Sequence, residues 1–227
     1  MLNLSFALVG FGNVGKSLVR LLEQKRQTLL DEHGIQFKIT GIATGRHGIA
    51  IDPDGLDAEQ VLQAEDLSSL SKTPPPSSIL EFVKTVPADV LFENSPTNHQ
   101  TGQPAIDYLK AALQRGMFAI TANKGPVVHG YRELTALAKQ NSSAFLFESA
   151  VMDGAPIFSL FKHNLPVTEL HGFMGILNSC TNMILGRMET GESMEDAIRY
   201  TQSIGIAETD PSGDVDGWDA AIKVAAL

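Results

Sequence analysis

A glycine-rich turn placed directly after the first apolar segment constrains this chain more than any other feature. Residues 4–9 (LSFALV) have the length and composition of a buried strand, and helically spaced apolar residues begin at Val14. Between them lies a GxGxxG motif, formed by Gly10, Phe11, Gly12, Asn13, Val14 and Gly15. The order of strand, glycine turn and helix is typical of dinucleotide-binding proteins. We therefore predict that the residues of this motif bind a dinucleotide.

Each glycine of the motif has its own physical role in such a turn. Gly10 allows the tight turn, Gly12 lets a pyrophosphate approach the backbone, and Gly15 lets helix and strand pack closely. The first N–H groups of the helix have no partner within the helix, so they can bind the phosphates. An ordinary glycine turn between a strand and a helix is the alternative interpretation.

The end of the second predicted strand bears on which dinucleotide binds. Residues 37–43 (FKITGIA) form that strand, and an NAD site usually places an acidic residue at its end for the ribose hydroxyls. The chain has Thr44, Gly45, Arg46 and His47 there instead. Arg46 is able to pair with a 2′-phosphate, so NADP is favoured, with NAD as the alternative. A loop arginine in water is the other interpretation of Arg46.

Strand and helix patterns alternate through most of the chain. Strand patterns also occur at residues 88–93, 117–121 and 144–147, and helical patterns at residues 103–115 and 131–139. Residues 45–78 are less regular, with a short helix at residues 58–63 and an extended connector at residues 74–76. This alternation predicts an α/β fold built on a Rossmann-type doubly wound parallel sheet. The pattern changes near Glu148, so we predict a dinucleotide-binding domain over residues 1–147 and a second domain over residues 148–227.

Two polar loops follow strands of the predicted sheet. They are residues 94–98, which include Ser95 and Thr97, and residues 121–126, which include Asn123 and Lys124. Ligands of parallel sheets bind outside the carboxyl ends of the strands, so both loops are expected to line the cofactor crevice. Lys124 is a candidate for polarising a carbonyl near the nicotinamide, and a solvated turn lysine is the alternative.

Composition excludes several classes of partner. The 227 residues carry a formal net charge of −9, so long-range attraction to nucleic acid or an anionic membrane is not expected. A single cysteine, Cys180, rules out an internal disulfide framework and suits a reducing cytoplasm. No apolar run approaches the ~18 residues that a membrane-spanning helix needs. We expect a cytoplasmic protein that binds neither nucleic acid nor membranes.

Carboxylates crowd toward one lysine near the end of the chain. Glu208, Asp214 and Asp219 precede Lys223, and Asp219 and Lys223 have the i, i+4 spacing that places both on one helix face. Acids that hold a substrate ammonium beside a lysine that moves a proton would suit amino-acid carbonyl chemistry. A solvated, capped helix start is the alternative.

Several segments of the sequence match a known family. Besides the glycine motif, they are residues 95–104 (SPTNHQTGQP), 121–126 (TANKGP), 175–185 (GILNSCTNMIL) and 207–223. With these segments in this order across essentially the whole chain, the sequence resembles homoserine dehydrogenases. The resemblance implies a Rossmann domain followed by an α+β domain for substrate binding and dimerisation, with a homodimer at full length. It also implies NADPH- or NADH-dependent reduction of L-aspartate 4-semialdehyde to L-homoserine, on the route to methionine, threonine and isoleucine.

The resemblance also implies roles for individual residues. Glu208, Asp214 and Asp219 would bind the amino-acid end of the substrate, and Lys124 and Lys223 would lie near the reacting carbonyl as proton donor or relay. Which lysine donates the proton is left open. A structural sodium ion would bind at Glu148 and the backbone of Val151 and Asp153.

The sequence departs from the family pattern in three places. Ser179 and Cys180 stand where many members have glycine and threonine, and Asp153 is an unusual acid in the metal-binding turn. The chain also ends four residues after Lys223, whereas family members continue. We therefore expect an incomplete second domain, and a chain that binds NADPH with little or no turnover.

Two alternatives to this function remain open. One is a catalytically silent NADP-binding fragment. The other is a different two-domain reductase such as an aspartate-semialdehyde dehydrogenase, which needs a nucleophilic cysteine. Cys180, in an apparently packed turn without an obvious base nearby, makes the second alternative the weaker one.

Overall fold

The computed structural model describes residues 1–152, 154–207 and 210–227. The chain divides into two compact units, Met1–Gly154 and Ala155–Leu227. The first unit contains a six-stranded sheet with the strand order β3-β2-β1-β4-β5-β6. Its strands are β1 (Leu2–Val9), β2 (Ile35–Ala43), β3 (Ile49–Ile51), β4 (Val90–Glu93), β5 (Phe118–Thr121) and β6 (Phe145–Leu146). All neighbours are parallel except β2 and β3, which are antiparallel. The predicted α/β class with a mostly parallel sheet is confirmed.

Both faces of the sheet are buried, as alternate residues of β1 show. Phe6 and Leu8 belong to one hydrophobic cluster, whereas Ala7 and Val9 belong to another. Because successive side chains of a strand point to opposite faces, each face has its own core. A parallel sheet covered on both faces requires strands that are continuously apolar, and FALV at residues 6–9 has that composition.

The first unit also contains α-helices, which we number α1 to α5. They are α1 (Asn13–His33), α2 (Ala58–Gln63), α3 (Ile79–Thr85), α4 (Ala105–Gln114) and α5 (Lys124–Gln140). The helix expected from residue 131 begins at Lys124, where the Asn123 side chain caps it by accepting a hydrogen bond from Gly125 N. Pro126 is tolerated because the first-turn N–H groups have no partner within the helix.

The less regular part of the chain contains elements that the sequence pattern did not indicate. Helix α2 has the bounds that were predicted, and residues 74–76 form no regular element. Strand β3 was missed because three residues are too few to show a periodicity. Helix α3 was also missed, although Ser78 caps it by accepting from Glu81 N. These elements extend the sheet and cover one of its faces, as Ile49, Ile51, Phe82 and Val83 share a core cluster with Ala7 and Val9.

The second unit contains helices α6 (Ile157–Ser159), α7 (Ser179–Glu189), α8 (Met194–Ser203), α9 (Ser212–Val215) and α10 (Trp218–Ala226). Among the described residues of this unit there is no strand, and residues 168–178 form an exposed segment without regular structure that ends at buried Asn178. Its small core comprises Cys180, Ile184, Ala197 and Ala207. The functional division at residues 147 and 148 stays a prediction. None of the helices described in either unit is long and apolar enough to cross a membrane.

Candidate cofactor and substrate sites

The glycine motif forms the turn between β1 and α1, at the carboxyl end of the sheet. Gly10 has a φ of +88°, and a Cβ atom there would come within 2.4 Å of the backbone oxygen of Asn94. A Cβ at Gly15 would lie 2.7 Å from the Gly10 oxygen, so helix and turn pack without room for a side chain. A Cβ at Gly12 would meet nothing within 4 Å. The turn is closed at Gly10 and Gly15 and open at Gly12, where a pyrophosphate would approach the start of α1.

An unsatisfied donor lies beside this turn. The side-chain Nδ2 of Asn94 is buried and has no hydrogen-bond partner in the described part of the chain. Asn94 follows β4, and its N–H donates to the Val9 oxygen at 2.7 Å, which ties it to the end of β1. A buried donor without a partner is rare, so it indicates that an acceptor from a ligand or water completes the site. Sequence analysis had assigned the loop to the crevice but had not selected Asn94.

Arg46 lies at the exposed tip of the turn between β2 and β3. The turn is held by Thr44, whose Oγ1 accepts from His47 N at 2.7 Å. A cavity of about 540 Å³ lies nearby, lined by Phe11, Lys16, His47, Leu62, Gln63, Ala64, Glu65 and Leu67. Arg46 is not among its lining residues. Half-buried Lys16 is a cationic group that sequence analysis missed, since one lysine in the first turn of a helix gives no pattern.

The two polar loops meet at the carboxyl ends of β4 and β5. Glu93 pairs in register with Val9 on one side and Thr121 on the other, so the ends of three parallel strands are adjacent. Asn123 Nδ2 donates to the Ser95 oxygen at 3.3 Å, which joins the loops directly. Lys124 is the first residue of α5, in the turn that Asn123 caps. The structure therefore brings Ser95, Asn123 and Lys124 to one edge of the sheet, beside the glycine turn.

A carboxylate–lysine network is present in the second unit. Lys223 Nζ lies 2.7 Å from Asp219 Oδ2 and donates to the Leu177 oxygen at 2.8 Å. Both side chains are mostly buried, with 17% and 16% of their surface exposed. This confirms that Asp219 and Lys223 share one face of α10. Glu208 lies outside the described residues.

Asn178 connects this pair to Asp214. Its Nδ2 donates to Asp214 Oδ1 at 2.7 Å and to Asp219 Oδ2 at 2.8 Å. Its Oδ1 accepts from Thr181 N at 2.7 Å and so caps α7. Sequence analysis noted the segment that contains Asn178 but assigned the residue no role. The sequence gives no sign of this contact, because Asn178 and Asp219 are 41 positions apart in the chain.

Cys180 lies beside the same network but is poorly suited to act as a nucleophile. Burial, together with the nearby charge of Asp214, raises the pKa of the Cys180 thiol. Thiolate chemistry needs the opposite shift, toward a more acidic thiol. This disfavours the alternative reductase that requires a nucleophilic cysteine.

The residues expected at a sodium site are only partly described. Glu148 begins the 3-10 turn Glu148–Ala150, and Val151 follows as a buried residue. Asp153 lies outside the described residues. Within the residues described, no three His, Cys, Asp or Glu side chains cluster as metal ligands.

The fold is that of a Rossmann-type dinucleotide-binding protein, and the second unit contains a carboxylate–lysine network. Two family models match the chain, "Homoserine dehydrogenase, NAD binding domain" over residues 10–148 and "Homoserine dehydrogenase" over residues 156–227. The chain belongs to the homoserine dehydrogenase family.

Individual relatives agree with this assignment. The chain is 35% identical to an NAD(+)-dependent homoserine dehydrogenase from Pseudomonas canavaninivorans, with 100% of this chain and 66% of that protein covered. It is 32% identical to a homoserine dehydrogenase from Pyrococcus horikoshii, with 100% and 69% covered. The chain thus spans about two thirds of the length of these relatives.

Solved structures show the same relationship. A hyperthermophilic archaeal homoserine dehydrogenase in complex with NADPH matches with a TM-score of 0.80 and 29% identity, covering 100% of this chain and 69% of that one. A homoserine dehydrogenase from Thermoplasma acidophilum matches with a TM-score of 0.77 and 25% identity, covering 97% and 66%.

Proposed function

We propose that the protein interconverts L-aspartate 4-semialdehyde and L-homoserine with a nicotinamide cofactor. The observation that carries this proposal is the network of Asn178, Asp214, Asp219 and Lys223 in a chain whose other unit has an open dinucleotide turn. An amino-acid substrate carries an ammonium group that carboxylates bind and a carbonyl that a lysine can protonate. The family assignment supports the same reaction.

The carboxylates would hold the amino-acid end of the substrate. Asp214 and Asp219 each accept a hydrogen bond from Asn178, which fixes one oxygen of each carboxylate. Glu208 is proposed to join them. Asn178 sets the spacing of the two carboxylates because a single amide nitrogen bonds both.

Lys223 and Lys124 are the candidates for moving the proton of the reacting oxygen. The Lys223 ammonium has three donors and makes two contacts with described residues, to Asp219 and to the Leu177 oxygen. Its third hydrogen can be directed at a substrate oxygen. Lys124, at the first position of α5, is the second candidate, and its neighbour Asn123 is fixed by hydrogen bonds on both sides.

The glycine turn and the two loops would hold the cofactor, which when bound would supply or accept the hydride. Asn13 and Val14 offer backbone N–H groups at the start of α1, beside the open position at Gly12. Ser95, Thr97 and Asn123 are proposed to contact the nicotinamide half. Arg46 is proposed to select NADP, although the family includes a relative named as NAD(+)-dependent and a structure with NADPH.

Three further properties are part of the proposal: a bound sodium ion, a homodimer and a cytoplasmic location. A sodium ion would bind at Glu148 and the backbone of Val151 and Asp153, because oxygen ligands suit a hard cation. The full-length protein would form a homodimer. A cytoplasmic location is proposed from the single cysteine, which suits a reducing compartment.

Two reactions of the full-length protein test the proposed function. NADPH absorbance should fall with L-aspartate 4-semialdehyde, and NADP⁺ should be reduced with L-homoserine. Phosphate-dependent oxidation of the semialdehyde should be absent, because that reaction needs a thiolate. Tight NADPH binding without turnover in either direction would instead identify a silent cofactor-binding protein.

A further inference from the structure

A fully buried carboxyl group lies beneath the two cofactor loops. Glu93 is the last residue of β4 and has 0% of its surface exposed. It occupies the point where β4 stands between β1 and β5 and the strand order reverses, which is where open parallel sheets bind ligands. Burying a carboxyl group costs free energy unless the group is hydrogen-bonded, so the hydrogen-bond partners of Glu93 indicate its role.

Each oxygen of Glu93 bonds a different loop. Oε1 accepts from Ser95 N at 2.8 Å and also from the Ser95 hydroxyl. Oε2 accepts from Thr121 Oγ1 at 2.7 Å. The Asn123 amide also stabilises the ionised carboxyl, and none of these partners in the described part of the chain is a cation. Glu93 is therefore held by the two loops rather than by an ion pair.

The bonds continue into a closed ring. Thr121 Oγ1 accepts from Asn123 N at 3.0 Å, and Asn123 Nδ2 donates back to the Ser95 oxygen at 3.3 Å. Asn123 Oδ1 accepts from Gly125 N at 3.0 Å and so fixes the first turn of α5, next to Lys124. Through this ring the Glu93 carboxyl determines where Ser95 and the start of α5 stand relative to one another.

We propose that Glu93 is a positioning residue for the nicotinamide half of the cofactor site. It does not contact the cofactor, because its own surface is fully covered. It acts through Ser95 and Asn123, which the proposed function places beside the nicotinamide, and the inference rests on that function. The glycine turn that would bind the pyrophosphate lies outside the ring. Loss of Glu93 should therefore affect the two halves of the cofactor unequally.

Two ligands distinguish binding of the nicotinamide half from binding of the adenine half. NADPH contains the nicotinamide, whereas adenosine 2′,5′-bisphosphate lacks it and reports the adenine half alone. Calorimetry on the unaltered 227-residue chain gives the reference ratio of the two affinities. Glu93→Gln keeps the side-chain volume but puts an NH₂ group where one acceptor oxygen stood. Thr121→Val, also close in volume, removes the hydroxyl that bonds Oε2 and provides a second, independent break in the ring.

Both variants should bind NADPH roughly tenfold more weakly while their affinity for the bisphosphate stays within about twofold, as expected for a lost buried hydrogen bond near one half of the site. Asp89→Asn is the matched control, because the Asp89 carboxylate accepts from Ser5 N at 2.7 Å at the opposite end of β4. It should change neither affinity.

The positioning role would be overturned if the variants lost affinity for both ligands equally. It would also be overturned if both variants bound NADPH as tightly as the unaltered chain. Failure of the unaltered chain to bind either ligand would overturn the proposed cofactor function itself, and the positioning role with it. The ratio of affinities distinguishes these outcomes, because a general loss of stability would lower both affinities together.

Discussion

At the scale of single residues, the choice between NADP and NAD depends on the residues that would bind a 2′-phosphate. Arg46 is exposed at the turn after β2, and half-buried Lys16 and exposed His47 line the cavity beside that turn. No acidic residue occupies residues 44–47 after β2, where an NAD site usually has one. These features favour a cofactor with a 2′-phosphate.

Arg46→Ala should reduce the preference for NADPH over NADH by about 1 to 2 kcal/mol, the size of a lost charge-assisted contact at an exposed site. Calorimetric titration of both cofactors measures the preference. Arg20→Ala is the matched control, since Arg20 is an exposed arginine that belongs to α1 rather than to the turn after β2. Equal affinities for NADPH and NADH in the unaltered protein would show that the chain has no such preference.

Single residues also show which features of the sites can be predicted from the sequence and which cannot. Asp219 and Lys223 were predicted to share a helix face, and they form an ion pair. This prediction was possible because i, i+4 spacing can be read directly from the sequence. Asn178 and Glu93 were missed because their importance comes from partners far along the chain or from burial. A lone asparagine or glutamate carries no pattern that reveals either property.

At the scale of elements, buried Glu93 at the end of β4 leads us to predict a pH dependence of the stability of the first unit. Burial raises the pKa of Glu93 above its ordinary value of 4.5, and the hydrogen bonds from Ser95 and Thr121 oppose that shift without cancelling it. Tyr108 of α4 is a titratable group whose pKa responds to Glu93: burial, followed by the Glu93 charge, raises the pKa of Tyr108 as well. Tyr108 therefore stays neutral where Glu93 titrates.

A carboxyl whose pKa is higher in the folded state binds more protons when folded, so its contribution to stability falls as pH rises from 4.5 toward the folded-state value. Glu93→Gln removes this contribution. The free energy of unfolding in urea, measured at a series of pH values, should fall less steeply with pH over that window in the variant than in the unaltered chain. Parallel pH curves would contradict a raised pKa for Glu93.

The elements with long apolar patterns were predicted most closely. Strands β1 and β2 and helix α1 follow long apolar patterns, and each was predicted close to its observed position. Strand β3 has only three residues and exists because Gly41–Ala43 of β2 offers an edge for antiparallel pairing. Such a strand depends on tertiary pairing, which outweighs the weak local preference of its residues.

At the scale of the whole molecule, the first unit could be predicted from the sequence and the second largely could not. Alternating strands and helices indicate a parallel sheet, because parallel strands need a crossover connection and this connection is usually a helix. The second unit offered no such alternation, and its described helices surround a small core around Cys180 and Ile184. Its function was inferred from charge clustering and family resemblance instead.

The central proposal is that the full-length protein is a dehydrogenase in which Lys223 acts on the reacting carbonyl. The most direct test compares turnover and NADPH affinity in the full-length protein, in Lys223→Ala and in Lys25→Ala, an exposed lysine of α1 that serves as control. We predict that Lys223→Ala lowers kcat for L-aspartate 4-semialdehyde at least roughly a hundredfold, with NADPH affinity unchanged and Lys25→Ala like the unaltered protein. Unchanged kcat in Lys223→Ala would contradict the claim.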